Sequence, residues 1–395
     1  MAVTLVLLVA LIAYGILEFR RHQRAVLSIP IRVHVNGTRG KSSVTRLIAG
    51  GLRAGGIRTF GKTTGTLPRM ILDDGREVAI RRVGKANIIE QVQVLGIAAR
   101  RQSQAVVIEC MALRPELQWL SEHRMVRATT GVITNAREDH FDVMGPTVAH
   151  VALSLCNTMP ESGKLFTADD RSLGKFRAAA QQNKIEVVMA RPDEVVDAEM
   201  LPFGYIEHKE NVALALKVCV ELGVPRETAL QGMYRCTPDP GVLRRYRVRY
   251  FNKEIDFVNA FAANDRESTL MILERLGVRP GGEKAAIILF NTRGDRIQRA
   301  EQFAGMIARD IQADYFVLVG EFVDAVESAA IRLGAPPEKI VNLGRLQPAA
   351  VPELFERVLD MTRRESIVVG VGNIGGVGQA IVDFFIHRSQ DGGAA

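Results

Sequence analysis

The sequence predicts an α/β protein with an N-terminal membrane helix, a P-loop domain with a mostly parallel sheet, and a smaller Rossmann-like domain. Three observations support this fold class. They are an apolar N-terminal segment, a glycine-rich loop between a strand pattern and a helix pattern, and strands that alternate with helical stretches along the chain. Such alternation is typical of parallel sheets with helical crossovers. A chain of 395 residues is long enough to form two cores.

The boundary between the two domains is predicted at Thr237–Gly241, the densest proline and glycine break in the middle of the chain. We therefore expect one domain over residues 31–238 and another over residues 239–395. Strands are predicted on both sides of this break, at Val106–Glu109, Gly131–Thr134, Lys164–Thr167, Glu186–Met189, Ala285–Phe290, Tyr315–Val319 and Ile367–Gly370.

The N-terminal segment Ala2–Leu17 is apolar and carries no charge. As a helix it is roughly 25 Å long, slightly less than the hydrocarbon core of a bilayer. Arg20, Arg21 and Arg24 follow it, the reverse of the charge order in a cleaved signal peptide. We expect a membrane anchor over residues 1–19, a basic linker over residues 20–30, and the remainder in the cytoplasm. The alternative is a buried N-terminal helix.

A phosphate-binding loop is predicted directly after the first strand pattern. Ile31–Val35 alternates like a strand, N-G-T-R-G-K-S-S follows, and a helix pattern covers Val44–Leu52. Glycines allow backbone N–H groups to face a phosphate, and the helix N-terminus favours negative charge. The first glycine of the longer P-loop pattern is absent, because Val35 stands there. The alternative is a tight turn with a chance lysine.

Two residues of this loop have side chains with defined chemistry. Lys41 can reach the β- and γ-phosphates of a nucleotide, and the Ser42 hydroxyl can hold Mg²⁺. The nucleotide-binding residues predicted in the loop are Gly37, Thr38, Gly40, Lys41, Ser42 and Ser43.

Two later positions are predicted metal ligands. Glu109 ends an apolar strand, where an open α/β sheet presents its ligand groups, and a carboxylate suits Mg²⁺. His140 lies between Asp139 and Asp142, and an imidazole beside carboxylates can bind a metal or orient a phosphate. The alternatives are a solvated strand end for Glu109 and a structural role for His140.

The segment Arg293-Gly294-Asp295-Arg296 follows the predicted strand Ala285–Phe290. Arg293 or Arg296 would neutralise a transferred phosphoryl group, and Asp295 would hold a ribose or an amine. The alternative is a charged βα loop without a ligand.

Four further features of the sequence have a structural or general interpretation. Arg244–Tyr250 alternates basic residues and predicts a solvated edge strand, although a polyanion would also fit it. Gly370–Gly375 matches G-x-G-x-x-G, but no strand remains to carry the acidic residue of a dinucleotide site, which leaves a final βα turn. The net charge of +7 agrees with several acidic partners. The four cysteines form no C-x-x-C pair, so we expect free, mostly buried thiols.

Several ordered segments resemble the Mur ligase family, which includes the folylpolyglutamate synthases. The short phosphate loop is similar to that family's loop, and the likeness extends over nearly the whole chain. Within the family, the chain is most similar to ligases that polymerise glutamate through its γ-carboxyl group. The segments that carry the resemblance are Gly37–Ser42, Lys62–Thr66, Val107–Glu109, Thr134–Asn135, Glu138–Thr147, Asn211–Ala215, Pro238–Gly241 and Val371–Ile374.

The resemblance implies an ATP-dependent amide ligase that uses ATP and Mg²⁺ and forms an acyl-phosphate. It implies that Asn211 contacts the adenine, that Ser42, Glu109 and His140 surround the metal, and that Lys41 and Arg293 stabilise phosphoryl transfer. ATP is expected between the two domains. The implied partners are glutamate, the growing poly-γ-glutamate chain, the membrane and other membrane subunits of an export complex. We expect no nucleic acid; a homo-oligomer is compatible with the sequence.

The chain also departs from the family's pattern. No nucleotide-sugar domain precedes the phosphate loop, which argues against a UDP-linked substrate. Ala149–Asn157 contains no lysine where many members carry a carbamylated one. Arg244 is displaced from the family's P-G-R, and the segment Asn259–Asp265 differs from its D-Y-A-H-N-P. Two other functions remain open: a folylpolyglutamate-type ligase, which the anchor disfavours, and a membrane-tethered NTPase without ligase activity.

Overall fold

Two separate β-sheets organise the chain, one in each of its two units. A computed structural model describes residues 2–65, 68–82, 86–238, 243–261, 265–294 and 297–391. The units are residues 1–240 and residues 241–395. The predicted boundary at Thr237–Gly241 lies partly outside the described residues, because residues 239–242 are not among them.

In unit 1, strands and helices alternate after a long first helix. The strands are β1 (Ile31–Asn36), β2 (Thr59–Thr63), β3 (Arg69–Ile71), β4 (Glu77–Ala79), β5 (Ala105–Glu109), β6 (Thr130–Ile133), β7 (Lys164–Thr167) and β8 (Glu186–Met189). The helices are α1 (Ala2–Leu27), α2 (Lys41–Ala54), α3 (Glu90–Arg100), α4 (Pro115–Leu120), α5 (Phe141–Met144), α6 (Val148–Leu155), α7 (Leu173–Asn183), α8 (Asp197–Met200), α9 (Lys209–Glu221) and α10 (Arg226–Tyr234). Short 3₁₀ or π turns cover Ser121–Val126, Cys156–Thr158 and Pro192–Glu194.

The sheet of unit 1 has the order β4-β3-β2-β5-β1-β6-β7-β8. The strands β2, β5, β1, β6, β7 and β8 are parallel to their neighbours in this order. β3 pairs antiparallel with β2 and with β4 at one edge, so the sheet is mostly parallel, as predicted. β1 lies between β5 and β6, with Val35 opposite Glu109 and Asn36 opposite Ile133. The carboxyl ends of these three strands therefore meet at one edge, where open α/β sheets bind ligands.

Helices cover both faces of this sheet, as alternate residues of β5 demonstrate. Val107 belongs to a core shared with α2, α9 and α10. Val106 and Ile108 belong to a second core with α1 and α3. Because both faces are buried, every residue of β5 is apolar except Glu109 at its end.

The first helix does not end where the sequence predicts a linker. α1 runs without interruption to Leu27, about 39 Å in all. Residues Val3 to Phe19 are exposed, whereas Val26 and Ile29 are fully buried in the core of unit 1. The predicted linker over residues 20–30 is thus mostly helical, since α1 continues to Leu27, and Val26 and Ile29 pack with α3. Among the described residues, α1 alone is long and apolar enough to cross a membrane, by length and composition.

A buried ion pair lies beneath the central strand. His34 of β1 contacts Glu122 of the π turn Ser121–Val126, with 2.7 Å between Nδ1 and Oε2. The other carboxylate oxygen accepts the backbone N–H of Ala128 at 2.7 Å. Burial by itself lowers the pKa of His34, but hydrogen bonding and electrostatic interaction with Cys110 and Glu122 outweigh it and raise that pKa to about 9.

Unit 2 is a smaller α/β unit. Its strands are β9 (Arg244–Tyr250), β10 (Lys253–Ala260), β11 (Ala285–Thr292), β12 (Tyr315–Gly320), β13 (Ile340–Asn342) and β14 (Glu365–Gly372). Its helices are α11 (Arg266–Arg275), α12 (Ile297–Gly305), α13 (Val323–Arg332), α14 (Val351–Met361) and α15 (Gly378–Asp391). Short 3₁₀ or π turns cover Met306–Asp310, Pro337–Lys339 and Pro348–Ala350.

The sheet of unit 2 has the order β13-β12-β11-β14-β10-β9, parallel except for β9. The basic strand β9 lies at its edge, as predicted. Arg247 and Lys284 both pair with the buried carboxylate of Asp256, at 3.1 and 3.5 Å. The G-x-G-x-x-G segment forms the connection from β14 to α15, which confirms a βα turn. All four cysteines are free, and Cys110 and Cys219 are buried.

The His34–Glu122 pair predicts a pH-dependent stability. The pKa of His34 is 6.5 in the unfolded chain and about 9 in the folded protein. The protonated histidine therefore stabilises the folded state fully below pH 6.5, and this stabilisation is lost as the pH rises through about 9. The free energy of unfolding should fall by an amount on the order of 3 kcal/mol between those pH values. Urea unfolding of detergent-solubilised protein at pH 6–9 measures it. His34→Gln should flatten the profile over that range; an unchanged profile in this variant would contradict the assignment.

The docked end of α1 predicts that two N-terminal truncations differ. Deleting residues 2–19 removes the exposed side chains of Val3 to Phe19 and should leave the free energy of unfolding of unit 1 unchanged. Deleting residues 2–29 also removes Val26 and Ile29, which should cost about 3–6 kcal/mol. Urea titrations of both proteins provide the comparison. Equal stabilities would show that the end of α1 is not part of the core.

Candidate active site

The loop between β1 and α2 requires glycine at two positions. Gly37 has φ +134° and Gly40 has φ +80°, both in the region that favours glycine. A Cβ atom on Gly37 would lie 2.0 Å from Thr134 Oγ1, and one on Gly40 would lie 2.6 Å from Asn211 Oδ1. α2 then begins at Lys41 without a side chain capping its first turn. This geometry suits an anion at the helix N-terminus.

The end of β6 holds the loop in place. Asn135 Oδ1 accepts the Thr38 hydroxyl at 2.7 Å and the backbone N–H of Arg39 at 3.1 Å. Thr134 Oγ1 donates to the carbonyl oxygen of Arg39 at 2.6 Å. The Thr-Asn pair that the sequence marked as a family segment therefore fixes the backbone of the phosphate loop.

Lys41 lies across the loop that precedes it. Its Nζ donates to the carbonyl oxygen of Gly37 at 2.7 Å and to that of Thr38 at 3.4 Å. The ammonium group is therefore held at the loop, where a phosphate-binding lysine acts. Ser43 follows on the first turn of α2 and is half-buried.

The structure brings together two of the predicted metal ligands. Ser42 Oγ donates to Glu109 Oε2 at 2.8 Å, and the backbone N–H of Thr64 donates to the same oxygen at 2.6 Å. Glu109 is buried, and its position is set by the pairing of β1 and β5. A hydroxyl beside a carboxylate is a set of hard oxygen donors that fits Mg²⁺.

His140 is not part of such a cluster. It directly precedes α5 with φ +46°, and its Nε2 lies 3.7 Å from Asp139 Oδ1. Asp139 Oδ2 lies in turn 3.7 Å from the Arg39 guanidinium of the loop. Within the described part of the chain, no group of three or more His, Cys, Asp or Glu side chains could hold a metal ion. The role of His140 as a metal ligand stays a prediction.

The side chain of Asn211, on α9, lies against the phosphate loop. Its Oδ1 abuts Gly40, and its Nδ2 donates to Glu207 Oε1 at 2.8 Å. Glu207 is buried and also accepts the backbone N–H of His208 at 2.9 Å. The sequence analysis missed Glu207; the signal available was an acidic residue four positions before the asparagine, at the start of a helix.

Lys62 is a second residue that the sequence analysis missed. It is the penultimate residue of β2, is fully buried, and its Nζ donates to Gln91 Oε1 at 3.0 Å. Gln91 Nε2 donates to the backbone carbonyl of Glu109 at 3.2 Å, which links Lys62 to the end of β5. Burial lowers the pKa of Lys62 to about 8, although the charges of Glu90 and Glu109 oppose the change. The available signal was a lysine within an otherwise buried strand.

The predicted arginine of unit 2 lies at the ends of two strands. Arg293 directly follows β11, and its guanidinium is 3.0 Å from where a Cβ on Gly375 would stand, beyond the end of β14. Asp295 and Arg296 lie outside the described residues. The roles predicted for Arg293 and Asp295 stay predictions.

Two protein-family models match the chain. Residues 35–217 match the Mur ligase middle domain, and residues 245–388 match the poly-gamma-glutamate synthase CapB C-terminal domain. The chain is 39% identical over 382 residues to the capsule biosynthesis protein CapB of Bacillus anthracis, covering 96% of this chain and 82% of that protein. It is 36% identical over 375 residues to the PGA synthase CapB of Bacillus subtilis (strain 168), covering 94% of each.

Solved structures resemble the fold at lower identity. Mycobacterium tuberculosis folylpolyglutamate synthase complexed with ADP matches with a TM-score of 0.65 at 15% identity, over 94% of each chain. A bifunctional folylpolyglutamate synthase/dihydrofolate synthase with Mn, AMPPNP and L-glutamate bound has a TM-score of 0.69 at 13% identity, over 93% of this chain and 92% of that one. MurF from Acinetobacter baumannii has a TM-score of 0.65 at 15% identity, over 96% of this chain and 80% of that one.

The Ser42–Glu109 contact predicts how one substitution changes Mg²⁺-dependent binding of ATP. Replacing Glu109 by Gln keeps the shape of the side chain but removes the negative charge, and should weaken Mg²⁺-dependent ATP binding about tenfold or more. Calorimetric titration with ATP at several Mg²⁺ concentrations measures this. Glu116→Gln, an exposed carboxylate on α4, is the matched control and should bind as the wild type does. Equal affinity in both variants would exclude Glu109 from the metal site.

Proposed function

The chain belongs to the CapB family of poly-γ-glutamate synthases within the Mur ligases, and from that premise we propose a specific chemistry for its site. It is an ATP-dependent amide ligase that joins glutamate through γ-linkages by way of an acyl-phosphate. The observation that carries the proposal is the Ser42–Glu109–Thr64 contact at the start of α2, where a metal and a triphosphate would meet.

The phosphate loop binds and orients the triphosphate of ATP. The backbone N–H groups at the start of α2 face the phosphates, and Lys41 stabilises the negative charge that develops on them. Ser42 and Glu109 are the residues that would hold Mg²⁺, which when bound neutralises phosphate oxygens and aligns them.

The reaction proceeds in two balanced steps. A γ-carboxylate oxygen of the acceptor attacks the γ-phosphorus of ATP, the bond to the bridging oxygen breaks, and ADP leaves. The amine of the incoming glutamate then attacks the acyl carbon, phosphate leaves with the electron pair of its C–O bond, and the nitrogen loses a proton.

The residues that orient these groups include Asn211, which we propose contacts the adenine, and His140 beside Asp139, which we propose assists the metal and phosphate. In unit 2, we propose that Arg293 contacts the transferred phosphate and that Asp295 contacts the ribose or the amine.

The substrate class agrees with the charge of the chain. Glutamate and a growing poly-γ-glutamate chain are anionic, and the chain carries a net charge of +7. We propose that α1 anchors the enzyme in the cell membrane, with Arg20, Arg21 and Arg24 on the cytoplasmic side. A membrane position would allow the polymer to pass to other membrane subunits of an export complex.

Lys41→Ala should abolish ligation while the protein stays folded. Loss of the charge that stabilises the transferred phosphoryl group costs several kcal/mol of activation free energy, about 10³-fold or more in rate. The assay measures glutamate-dependent phosphate release, sizes the product, and digests it with a γ-specific hydrolase. Lys175→Ala, at an exposed lysine of α7, is the control and should match the wild type.

Three outcomes of this assay would contradict the proposal. Near wild-type product from a folded Lys41→Ala variant would exclude the loop from catalysis. Strict dependence on a folate would indicate a folylpolyglutamate-type ligase. ATP hydrolysis that is indifferent to every amino acid would indicate a membrane-tethered NTPase.

A further inference from the structure

The end of α1 is fastened to unit 1 immediately after the exposed apolar part of the helix. His22 Nε2 lies 2.9 Å from the carbonyl oxygen of Met125, and Arg127 donates to Gln23 Oε1 at 2.8 Å. His22 is three residues beyond Phe19, which is about 4.5 Å along the helix axis. Contact with the π turn Ser121–Val126 therefore begins within one helical turn of the apolar segment.

No flexible joint separates this contact from the apolar segment. α1 is continuous from Ala2 to Leu27, and Val26 is fully buried beside Val94, Leu95 and Val126. The direction of the helix thus fixes the orientation of unit 1.

The dimensions of a bilayer then place the contact between His22 and Met125 at the level of the lipid headgroups. A hydrocarbon core of about 30 Å within a total of about 40–45 Å leaves a headgroup layer of about 5–7 Å on each side. If Phe19 marks the edge of the hydrocarbon, Met125 lies within that layer. α4 ends at Leu120 and runs directly into the π turn at Ser121, so the end of α4 is within about 9 Å of Met125 along the helix.

The side chains at this place have the chemistry of a membrane interface. Trp119 at the end of α4 is 40% exposed, and its ring centroid is 4.9 Å from that of His123. The guanidinium of Arg124 lies 5.4 Å from the centre of the tryptophan ring, and Leu120 beside it is 37% exposed. Tryptophan is enriched at headgroup level, and arginine is attracted to anionic lipids.

We propose that this surface, which we call the headgroup surface, binds the anionic headgroups of the membrane that α1 enters. It consists of Arg20, Arg21, Arg24, Trp119, Leu120 and Arg124. The inference rests on the proposed membrane anchor and is independent of the ligase chemistry. It goes beyond the anchor because it fixes which face of unit 1 lies on the bilayer. A protein partner over the same surface is the alternative that the test separates.

Trp119 is the single tryptophan of the chain, so its own fluorescence tests the proposal. The full-length protein is reconstituted in lipid nanodiscs with phosphatidylglycerol, with or without a lipid that carries a nitroxide quencher in its headgroup. Trp119 emission should fall at least about twofold with the quencher, as expected for an indole at headgroup level. Unquenched emission, in protein that resists carbonate extraction, would overturn the proposal while leaving the anchor intact.

A tryptophan moved to the opposite face of unit 1 provides the control. Leu201 follows α8 and is 81% exposed, and its neighbours Met200 and Phe203 pack into the core on the other side of the sheet from α1. The double variant Trp119→Phe, Leu201→Trp should show no quenching. Equal quenching at both positions would mean that the label does not report depth and would remove the support for the headgroup surface.

A flexible insert tests whether the surface has its own affinity for lipid. About eight Gly and Ser residues between Phe19 and Arg20 would release unit 1 from the fixed direction of the helix. Quenching of Trp119 should persist in phosphatidylglycerol nanodiscs at low salt and disappear in phosphatidylcholine ones. Loss in both lipids would contradict binding to anionic headgroups and would favour a protein partner. Glutamate-dependent phosphate release, assayed in parallel, reports separately on the proposed function.

Discussion

The contact between the Glu109 carboxylate and the Ser42 hydroxyl is the interaction on which the site depends. It joins the end of β5 to the first turn of α2, and the Thr64 N–H brings the end of β2 to the same oxygen. Such a contact requires β1 and β5 to be adjacent, with Val35 opposite Glu109. Because strand register shifts side chains between faces, a one-residue slip would move this carboxylate away from the loop. The order and register of the strands therefore determine whether the Glu109 carboxylate and the Ser42 hydroxyl meet.

Two buried basic side chains near this contact each have a hydrogen-bond partner. Lys62 contacts Gln91, which holds the Glu109 backbone, and His34 on β1 pairs with Glu122. A buried charge is costly unless it is hydrogen-bonded, so each of these pairs permits only a narrow range of geometries. They make the strand ends beneath the phosphate loop rigid, and rigid donors stabilise phosphoryl transfer without reorganisation.

The same unit connects this site to the predicted membrane anchor. α3 contributes Gln91 to the network beneath Glu109 and packs Val94 and Leu95 against the end of α1. One helix therefore touches both the network of the site and the base of the anchor. With α1 as the membrane anchor that we propose, this arrangement would hold the phosphate loop at a defined height above the bilayer.

Local patterns in the sequence were sufficient for the phosphate loop, the alternating strands, the apolar helix and the basic edge strand. Each depends on neighbours within a few residues, such as the glycines around Lys41 or the alternation in Arg244–Tyr250. The predicted ligands Ser42 and Glu109 could each be identified from local sequence, because one follows a glycine turn and the other ends an apolar strand.

Only the tertiary structure decided which of these residues meet. Ser42 and Glu109 are 67 positions apart, His34 and Glu122 are 88, and His22 and Met125 are 103. The burial of Lys62 and the docking of residues 20–30, expected to be a linker, followed from the same cause. Whether a charged side chain faces solvent or a partner depends on which strands and helices are neighbours, and that is determined by long-range packing rather than by local pattern.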